Sequence, residues 1–569
     1  MTGVERSSTF EPLNPLSPSP LTIYQVLPRL FGNDNTTRHA NGSIKENGCG
    51  HLADFTQKAL EKIRELGATH IWYTGIIEHA TQTSYAGYGI QEDYPSIVKG
   101  RAGSPYAIKD YYDIDPDLAT DVTRRVREFE NLVARTHRAG LGVIMDFVPN
   151  HVARQYCSDA CPPEAQDLGL GDDTSQAFSP HNNFYYIPGE ELHAQFDLQG
   201  YREMPARATG NDVFHAWPSQ TDWYETVKLN YGIDYVGGHT SHFQPIPETW
   251  HKMLHILLFW ARKGIDAFRC DMAEMVPVEF WQWVIPSVKA EFPHLFFIAE
   301  VYNPALYREY IHRGGFDYLY DKVGFYDTLR AVVRGEASAQ SLTACWQQVD
   351  DIRRHMLYFL ENHDEQRLAS DFFAGDARKG RAALLVAALM STNPFMLYFG
   401  QELGERGMDE EGFSGRDGRT TIFDYWCVDS IRRWRNHGRF DGTLLTDEER
   451  ALQAYYCRVL TLRLQNETLR EGDFYDLMYV NPHLHSQYVF VRRLSRNCVT
   501  AFANFSDRTE EVQVNLPHHL FELYGLTPQQ DVEATDLLSG ESLSVSFTPN
   551  KPLCVSLPAW GGLILQIKN

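Results

Sequence analysis

Two patterns of apolar and polar positions alternate along most of the chain. Short apolar runs, typical of buried strands, are followed by longer segments in which apolar residues recur every three or four positions, as in a helix with one buried face. LTIYQVLP (21–28) and the segment 55–67 form the first such pair. In the helical segment, Leu60, Ile63 and Leu66 fall on one side, and a glycine follows. Alternating strands and helices predict a parallel sheet.

About eight strand–helix units of this kind are present. The predicted strands are 21–28, 69–75, 141–151, 265–271, 295–300, 316–321, 354–364 and 394–400. The clearest predicted helices are 55–67, 122–140, 249–264, 277–292, 380–392 and 447–465. Eight units of this size fit an α/β protein built on a closed (β/α)8 barrel, the TIM barrel. An open doubly wound sheet is the alternative, but no G-x-G-x-x-G turn follows the first strand.

Two segments interrupt the alternation. From about Val152 to Phe243 no strand–helix unit is clear, and the aromatic content of this run favours a folded insertion after the third strand. From about Glu471 the pattern changes to short β-rich runs separated by turn residues, which indicates an appended antiparallel β-sandwich. The predicted domains are a first barrel part with an irregular N-terminal arm (1–151), an inserted domain B (152–243), the rest of the barrel (244–470) and a C-terminal β-sandwich (471–569).

The charge balance narrows the choice of partners. The 569 residues include 52 Lys and Arg against 74 Asp and Glu, a formal net charge of −22. Such a surface disfavours nucleic acid and anionic membranes, and no apolar run approaches the length of a membrane span. We therefore expect neither partner, whereas a neutral polar substrate fits an aromatic content of 13%. The sequence predicts no particular oligomeric state.

The termini and cysteines predict a cytoplasmic protein with reduced thiols. MTGVERSSTFEPLNPLSPSP has neither the basic nor the apolar region of a secretory signal, although a secreted or periplasmic protein whose signal had been removed would look the same. The nine cysteines are scattered, and Cys157 and Cys161 are the one close pair. No second pair with metal-site spacing follows, so neither zinc nor a disulfide is favoured there. Nothing in the sequence points to an organic cofactor.

Acidic and basic residues stand where several predicted strands end. Alternation along GIDAFRCD puts Arg269 and Asp271 on one face of a strand. Glu300 and Asp364 end two later strands. Taken singly, each is equally consistent with a helix cap or an internal ion pair. Together they would meet at the mouth of a barrel, where carboxyl groups this close are expected to have different pKa values, as glycoside hydrolysis requires.

Four motifs in order resemble the signatures of the α-amylase family, glycoside hydrolase family 13. They are DFVPNH (146–151), AFRCD (267–271), FFIAE (296–300) and ENHDEQR (361–367). TVKLN (226–230) is similar to an extra signature of the neopullulanase-like branch. IYQVLPRLF and FGQELG (399–404) resemble the family's first and eighth strands. The resemblance extends over roughly residues 20–465 and the C-terminal sandwich.

The resemblance implies a role for each matching residue. Asp271 would be the nucleophile, and Glu300 the general acid and then the general base. Asp364 would bind sugar hydroxyls and stabilise the oxocarbenium-like transition state. Arg269 would keep the nucleophile ionised. The reaction would be a double displacement with retention, for which the Asp271 and Glu300 carboxyls should be about 5–5.5 Å apart.

Further residues would surround the sugar next to the cleaved bond. By the same resemblance, His151 and His363 would form hydrogen bonds with it. Tyr106, in SPYAIKDYYDID (104–115), would present its ring to the C–H face of a glucose. Asp146 would have a supporting role beside the site.

The chain also departs from the family pattern. Asn150 matches the calcium-binding asparagine of the family, so a Ca²⁺ ion held by Asn150 and by oxygens of the inserted domain is a hypothesis. Glu274 and Met275 stand where many calcium-containing amylases have Lys-His, and Ala107 stands where many members have tryptophan. These differences leave the substrate open.

The predicted function is that of a retaining hydrolase of α-1,4-glucosidic bonds in starch-type glucans or maltooligosaccharides. One alternative is a glucanotransferase or a neopullulanase-type enzyme, because a sugar acceptor competes with water for the same intermediate. Another is a non-catalytic carbohydrate-binding protein, against which the presence of all three acids argues. Starch, pullulan and cyclodextrins share the α-1,4 link, and loops 152–243 and 401–446 would shape the choice between them.

Overall fold

The computed structural model describes residues 20–495 and 497–568, and a closed barrel of eight parallel strands lies at its centre. In chain order the barrel strands are Thr22–Val26, His70–Tyr73, Gly142–Phe147, Ala267–Cys270, Phe296–Ala299, Tyr318–Tyr320, Met356–Phe359 and Phe395–Tyr398. Each strand pairs in parallel with the next, and the eighth pairs with the first. The predicted (β/α)8 barrel is confirmed. The predicted N-terminal arm lies largely outside the described residues.

Helices connect the barrel strands and also follow the last of them. The longer ones are Gln57–Glu65, Arg125–Arg138, Glu248–Ala261, Val278–Glu291, Ser341–Gln348, Gly380–Leu389 and Asp447–Gln465. The shorter ones are Pro28–Phe31, Ile44–Asn47, Tyr307–His312, Asp327–Val333, Asp429–Arg435 and Glu467–Glu471. The helix Asp447–Gln465 begins where predicted because Thr446 and Glu449 cap it reciprocally, each side chain accepting from the other's backbone N–H. Over the described ranges, no helix combines the length and apolar character needed to cross a membrane.

The barrel interior is filled by its own apolar cluster, separate from the core outside the strands. This cluster includes Ile144, Ala267 and Ile298. Each of the three stands two residues before a polar residue, Asp146, Arg269 and Glu300 respectively. Because alternate residues of a strand share a face, these polar side chains continue the inward row up to the mouth of the barrel.

A hairpin that the sequence analysis did not predict follows the second barrel strand. It pairs Ile77–His79 with Ile108–Ile114 in antiparallel fashion and is buried along both strands. Glu78 lies opposite Asp110 in this hairpin. Its polar residues hid the strand pattern, because buried strands are normally recognised by apolar runs.

The insertion after the third barrel strand is folded but has little regular structure. Its paired strands are His151–Ala153 with Thr226–Lys228, Tyr186–Ile187 with Ala206–Arg207, and Ile233–Asp234 with Thr240–Ser241. Inside it, Glu203 accepts from Arg154 at 2.7 Å and from Arg207 at 2.8 Å. The buried Arg154 and Glu203 compensate each other's charge, which burial of either alone would leave unpaired.

The C-terminal region confirms the predicted antiparallel β structure. Its six-stranded sheet runs in the order Asp473–Asp476, Gln487–Leu494, Asn497–Asn504, Gly561–Lys568, Gln529–Asp536 and Ser542–Phe547. A second sheet pairs Glu510–Val514 with Leu553–Leu557, and the helix His518–Tyr524 lies between strands in sequence. Buried Arg492 of the large sheet donates to the carbonyl of Leu389, so the helix Gly380–Leu389 lies between barrel and sheet. That position explains why every residue of this helix except Arg381 is buried.

Candidate active site

The three predicted acids meet at the carboxyl ends of the barrel strands. Asp271 follows the fourth strand directly, and Glu300 follows the fifth. Asp364 lies in the loop after the seventh strand. The backbone N–H of Asp271 still bonds to Phe147 and that of Glu300 to Cys270, so both acids remain anchored to the edge of the sheet.

Arg269 is the centre of the site. Its guanidinium is fully buried, with Nη1 at 2.8 Å from Asp271 Oδ1 and Nη2 at 2.6 Å from Glu300 Oε2. Nη1 also lies 3.3 Å from Asp146 Oδ1, and Nε donates to the Tyr320 hydroxyl at 3.2 Å. A planar guanidinium with a fixed fork can hold two carboxylates in defined directions, which a lysine cannot. Arg269 therefore sets the relative positions of Asp271 and Glu300.

Glu300 is held by two further donors. The Tyr302 hydroxyl donates to Oε1 at 2.6 Å, and the backbone N–H of Met272 donates to Oε2 at 2.9 Å. Met272 has the left-handed backbone conformation, with φ 42° and ψ 43°. A residue with a side chain rarely adopts this conformation, at a cost of about 1–2 kcal/mol. This backbone strain turns the Met272 amide towards Glu300, which is where such strain is functionally informative.

The acids influence one another's ionisation. Burial raises the pKa of Asp271 above its ordinary value, and the charges of Glu300, Asp146 and Asp364 act in the same direction, whereas Arg269 opposes them. Burial also raises the pKa of Asp146 to about 6, although Arg269 and a bond from Trp72 Nε1 oppose it. Carboxyl groups arranged around one guanidinium bind and release protons as a group rather than independently.

Asp364 faces the opening of the site. Its side chain is 42% exposed, and the Asn362 side chain accepts from the backbone N–H groups of Asp364 and Glu365, both at 2.9 Å. This local turn lies just beyond the strand, which ends at Phe359, and presents the carboxylate outwards. Below it, Arg367 is fully buried and donates to Glu361, which fixes the base of the same loop.

His363 and Tyr106 form one unit next to Asp364. The Tyr106 hydroxyl lies 2.5 Å from His363 Nε2, and the two rings are near parallel with centroids 5.1 Å apart. His363 Nδ1 lies 2.8 Å from the amide nitrogen of Gln25, which places the ring proton on Nε2. Burial, with Arg269 nearby, lowers the pKa of His363 to about 3. His363 is therefore a neutral hydrogen-bonding group at the mouth.

His151 lies on the other side of the mouth, where the chain enters the insertion. It is buried, and its ring packs against Trp223 with centroids 5.2 Å apart. Burial lowers the pKa of His151 to about 3, and the charge of Lys228 acts in the same direction. This histidine is therefore also neutral near pH 7.

The surroundings of Asn150 do not fit the calcium ion predicted there. The Asn150 amide oxygen accepts from Lys228 Nζ at 2.8 Å, and the same ammonium lies 2.6 Å from Asp212 Oδ1. Lys228 is 2% exposed, so its charge is directed at these two groups and not at solvent. A calcium ion using the Asn150 oxygen would meet this positive charge. We therefore assign no calcium ligand to Asn150.

Glu274, one of the departures from the family pattern, connects two loops of the mouth. Its Oε2 accepts from the backbone N–H groups of Tyr302 at 3.2 Å and Asn303 at 3.0 Å. The loop after the fourth strand is thereby fixed to the loop after the fifth strand. Ala107 is buried in a small cluster of alanine and valine side chains at the base of the hairpin.

Several residues that complete the site were not predicted from the sequence. They are Gln25, Trp72, Lys228, Met272, Tyr302 and Tyr320. Tyr302 had a usable signal, because it stands two residues beyond Glu300. Lys228 had one too, since a lysine stands at the centre of TVKLN. The contribution of Met272 comes from its backbone, which no side-chain pattern reports.

Known proteins resemble this chain over most of its length. A family model described as alpha amylase, catalytic domain, matches residues 25–437. An α-amylase of Streptomyces lividans is 25% identical over 468 residues, 74% of this chain and 47% of that protein, so the chain spans about half the length of that relative. A cyclomaltodextrinase of Geobacillus thermopakistaniensis is 23% identical, covering 87% of this chain and 70% of that protein.

Solved structures share the fold. A noncanonic maltogenic α-amylase of Thermotoga neapolitana superposes with a TM-score of 0.61 at 18% identity, covering 98% of this chain and 100% of that one. An α-amylase of Geobacillus thermoleovorans, complexed with acarbose, gives 0.63 at 19% identity, with 96% and 98% covered. Because the family model matches most of the chain, over a barrel with three acids at its mouth, the chain belongs to the α-amylase family of glycoside hydrolases.

Proposed function

We propose that this enzyme hydrolyses α-1,4-glucosidic bonds in starch-type glucans or maltooligosaccharides by a double displacement with retention. One observation carries the proposal: the carboxyl groups of Asp271 and Glu300 contact two different nitrogens of the buried Arg269 guanidinium, at 2.8 and 2.6 Å. A shared guanidinium keeps the two carboxyls near each other. A short separation is what a covalent glycosyl intermediate requires, since an inverting enzyme leaves room for water between its acids.

In the first step the Asp271 carboxylate attacks the anomeric carbon, and a new C–O bond forms as the glycosidic C–O bond breaks. The departing sugar oxygen takes the proton from the Glu300 carboxyl. Arg269 contacts the Asp271 carboxylate and stabilises its negative charge before the attack. The products of this step are a shortened glucan and a glycosyl ester on Asp271.

In the second step Glu300, now ionised, removes a proton from water. The resulting hydroxide attacks the same carbon and releases Asp271, so the original anomeric configuration is restored. Tyr302 and the Met272 amide hold the Glu300 carboxylate in place in both steps. Orientation of this kind lowers the barrier because the acid needs no reorganisation.

The remaining residues would bind the sugar at the cleaved bond. Asp364, half exposed at the mouth, would accept hydrogen bonds from sugar hydroxyls. His151 and His363, both neutral by burial, would donate to the same ring. For His363 this requires the Nε2–H group to give up its hydrogen bond to the Tyr106 hydroxyl and to donate to the sugar instead. The Tyr106 ring would then face the glucose.

A second candidate is neopullulanase-type or cyclomaltodextrin-hydrolysing activity at the same site. Two of the curated relatives bear the name cyclomaltodextrinase, and TVKLN is similar to the extra neopullulanase-like signature. Transfer to a sugar acceptor uses the same glycosyl enzyme, so it competes with hydrolysis rather than replacing the mechanism.

One set of assays tests these proposals. Soluble starch, pullulan, maltotetraose and cyclodextrin are each incubated with the wild-type enzyme and with Asp271→Asn, and products are separated over time. The anomeric proton of freshly released sugar is followed by NMR before mutarotation. We expect α-configured product first, and cleavage that depends on Asp271.

Each result has a defined meaning. A β-configured first product would overturn retention, and activity of Asp271→Asn close to wild type would overturn the nucleophile assignment. Products longer than maltotetraose at early times would identify transfer as the main reaction. Faster cleavage of cyclodextrin than of starch would favour the second candidate. If the enzyme cleaves none of the four substrates, the proposal is refuted.

A further inference from the structure

A group of carboxylates outside the active site lies between the hairpin and the insertion. Glu78 and Asp113 come from the two strands of the hairpin, and Asp159 comes from the insertion. One carboxylate oxygen of each lies within 4.8 Å of the others. We call these three residues the acidic cluster. Calcium binds oxygen at about 2.3–2.6 Å, so two oxygens on the same ion lie at most about 5.2 Å apart, and the spacing in the cluster is within that limit.

Glu78 has no other bonding partner in the described structure. Its residue is 1% exposed, and neither carboxylate oxygen takes part in a hydrogen bond with the described residues. A buried ionised carboxylate without a partner is strongly unfavourable, so such a group is expected to bind a cation or to carry a proton. This side chain is directed into the acidic cluster, which is therefore more than a concentration of surface charge.

Asp110 holds the exposed member of the cluster in place. It lies opposite Glu78 in the hairpin and accepts from Ser158 Oγ at 2.6 Å and from the Ala160 N–H at 2.9 Å. These two donors stand on either side of Asp159. The backbone of Asp159 is thus fixed at the cluster even though its side chain is exposed to solvent.

The charges nearby do not balance. Arg125 forms a two-pronged ion pair with Asp113, but one oxygen of Asp113 accepts from Arg125 alone and retains a free lone pair. Lys109 extends to Asp93 at 2.9 Å and not to the cluster. With Asp110 included, four carboxyl groups face one guanidinium here. This excess of negative oxygen donors is the composition that a hard divalent cation selects.

We propose that Glu78, Asp113 and Asp159 bind a calcium ion that fastens the insertion to the hairpin. The ion satisfies the buried Glu78 carboxylate and joins two segments that are otherwise distant in sequence. Water completes its coordination on the exposed side, next to Asp159. The hairpin strand Ile108–Ile114 begins two residues after Tyr106, so the ion also braces the segment that delivers this ring to the active site.

The rival occupant is a proton. Without a cation, burial and the charges of the neighbouring acids raise the pKa of Glu78 well above its ordinary value, so the metal-free side chain would carry a proton. A proton and a calcium ion lead to opposite expectations when the negative charge of Glu78 is removed. If a proton occupies the site, Glu78→Gln mimics the native state, whereas if calcium does, the same substitution removes a ligand.

The test uses the full chain, stripped with a chelator and desalted. Calcium chloride is titrated in by calorimetry, with magnesium chloride in a parallel titration, and bound metal is counted by elemental analysis. The variants are Glu78→Gln and Asp159→Asn. Glu402→Gln is the matched control, because Glu402 is another buried glutamate with an unpartnered oxygen but bonds to Tyr24 and has no carboxylate cluster around it.

We expect one calcium ion per chain at this site, weaker binding of magnesium, and a rise in Kd of about 30-fold or more in Glu78→Gln because one of three charged ligands is lost. Asp159→Asn, at an exposed position that cannot compromise the core, should raise Kd by about 10-fold. Glu402→Gln should bind calcium like the wild type. Absence of bound calcium in the wild type would overturn the proposal. So would a calcium affinity of Glu78→Gln and Asp159→Asn equal to that of the wild type. A Glu78→Gln protein that melts at or above the wild-type temperature in calcium would identify the proton as occupant.

Discussion

Replacing Lys228 by methionine tests whether an internal ammonium group takes the place of a metal at the junction of barrel and insertion. Methionine keeps the length and the apolar stem of lysine but removes the charge and the donors. The variant leaves the Asn150 amide oxygen without its bond from Nζ and Asp212 without its ion pair. We expect Lys228→Met to be less stable than the wild type.

The magnitude follows from the burial of the two partners. Asn150 is 1% exposed, and an unsatisfied buried acceptor costs about 1–3 kcal/mol. The Asp212 side chain is 40% exposed, so its ion pair contributes at most about 1 kcal/mol. Removal of the buried ammonium offsets part of this, because burial lowers the pKa of Lys228 and so opposes its charge. We expect a net loss of about 1–3 kcal/mol.

The loss should be local. Lys228 pairs with His151 across the short sheet that joins barrel and insertion. Hydrogen exchange of 151–153 and 226–228, together with urea unfolding, measures the change. Asp212→Asn is the matched control, since it removes the exposed charge and leaves the bond to Asn150, and it should cost at most about 1 kcal/mol. Faster exchange in these two strands should be accompanied by a higher KM, because His151 lies in one of them.

Calcium provides a second arm of the same experiment. In Lys228→Asp, carboxylates at 212 and 228 would surround the Asn150 oxygen, which is a calcium-like set of donors. That variant should be destabilised in chelator, and calcium should raise its stability by more than it raises that of the wild type. Lys228→Met with unchanged stability and unchanged exchange at 151–153 would refute the reasoning.

The remaining predictions concern the site itself. Asp271→Asn and Glu300→Gln should each lower kcat by about 10³-fold or more while the melting temperature stays near wild type, since each removes a reacting group; kcat within about tenfold of wild type in either would contradict its role. Tyr302→Phe should lower kcat by about tenfold with little change in KM, because Glu300 loses the Tyr302 hydroxyl as a donor and keeps only the Met272 amide and Arg269; an equal rise in KM would point to substrate binding instead. The pKa of His363 is about 3 against 6.5 for a free histidine, so only the unfolded state is protonated between these values and the free energy of unfolding falls as pH is lowered through this window. His363→Gln should reduce that fall by up to about 1.4 kcal/mol per pH unit in urea unfolding at about pH 6 and pH 4, and an unchanged slope would contradict it.

The barrel and its mouth could be predicted because both depend on local patterns. Alternation within single strands put Arg269 and Asp271 on one face, and the order of strands put Glu300 beside them. Strand ends were less accurate: the prediction 354–364 continues five residues beyond Phe359, where the strand stops. Three residues later the side chain of Asn362 forms a turn by accepting backbone N–H groups, and apolar periodicity carries no record of such a bond.

Contacts between distant segments could not be predicted in the same way. Asn150 matched a calcium-binding position, but the group that faces it is Lys228, 78 residues later. The hairpin containing Glu78 was missed because its buried strands carry acids, contrary to the usual composition of a buried strand. In both cases the informative quantity is the charge of a neighbour in space, which one sequence does not reveal.

The left-handed backbone at Met272 has a consequence for how this chain can vary. The contribution of this residue to the site is a backbone N–H in a particular direction, so the demand is on φ and ψ rather than on a side chain. Glycine and asparagine enter that conformation readily, whereas β-branched residues and proline are excluded from it. Position 272 should therefore accept residues of different chemistry, provided that they adopt the left-handed backbone conformation. A scan of substitutions would find the acid–base machinery sensitive to a residue that no comparison of catalytic side chains would single out.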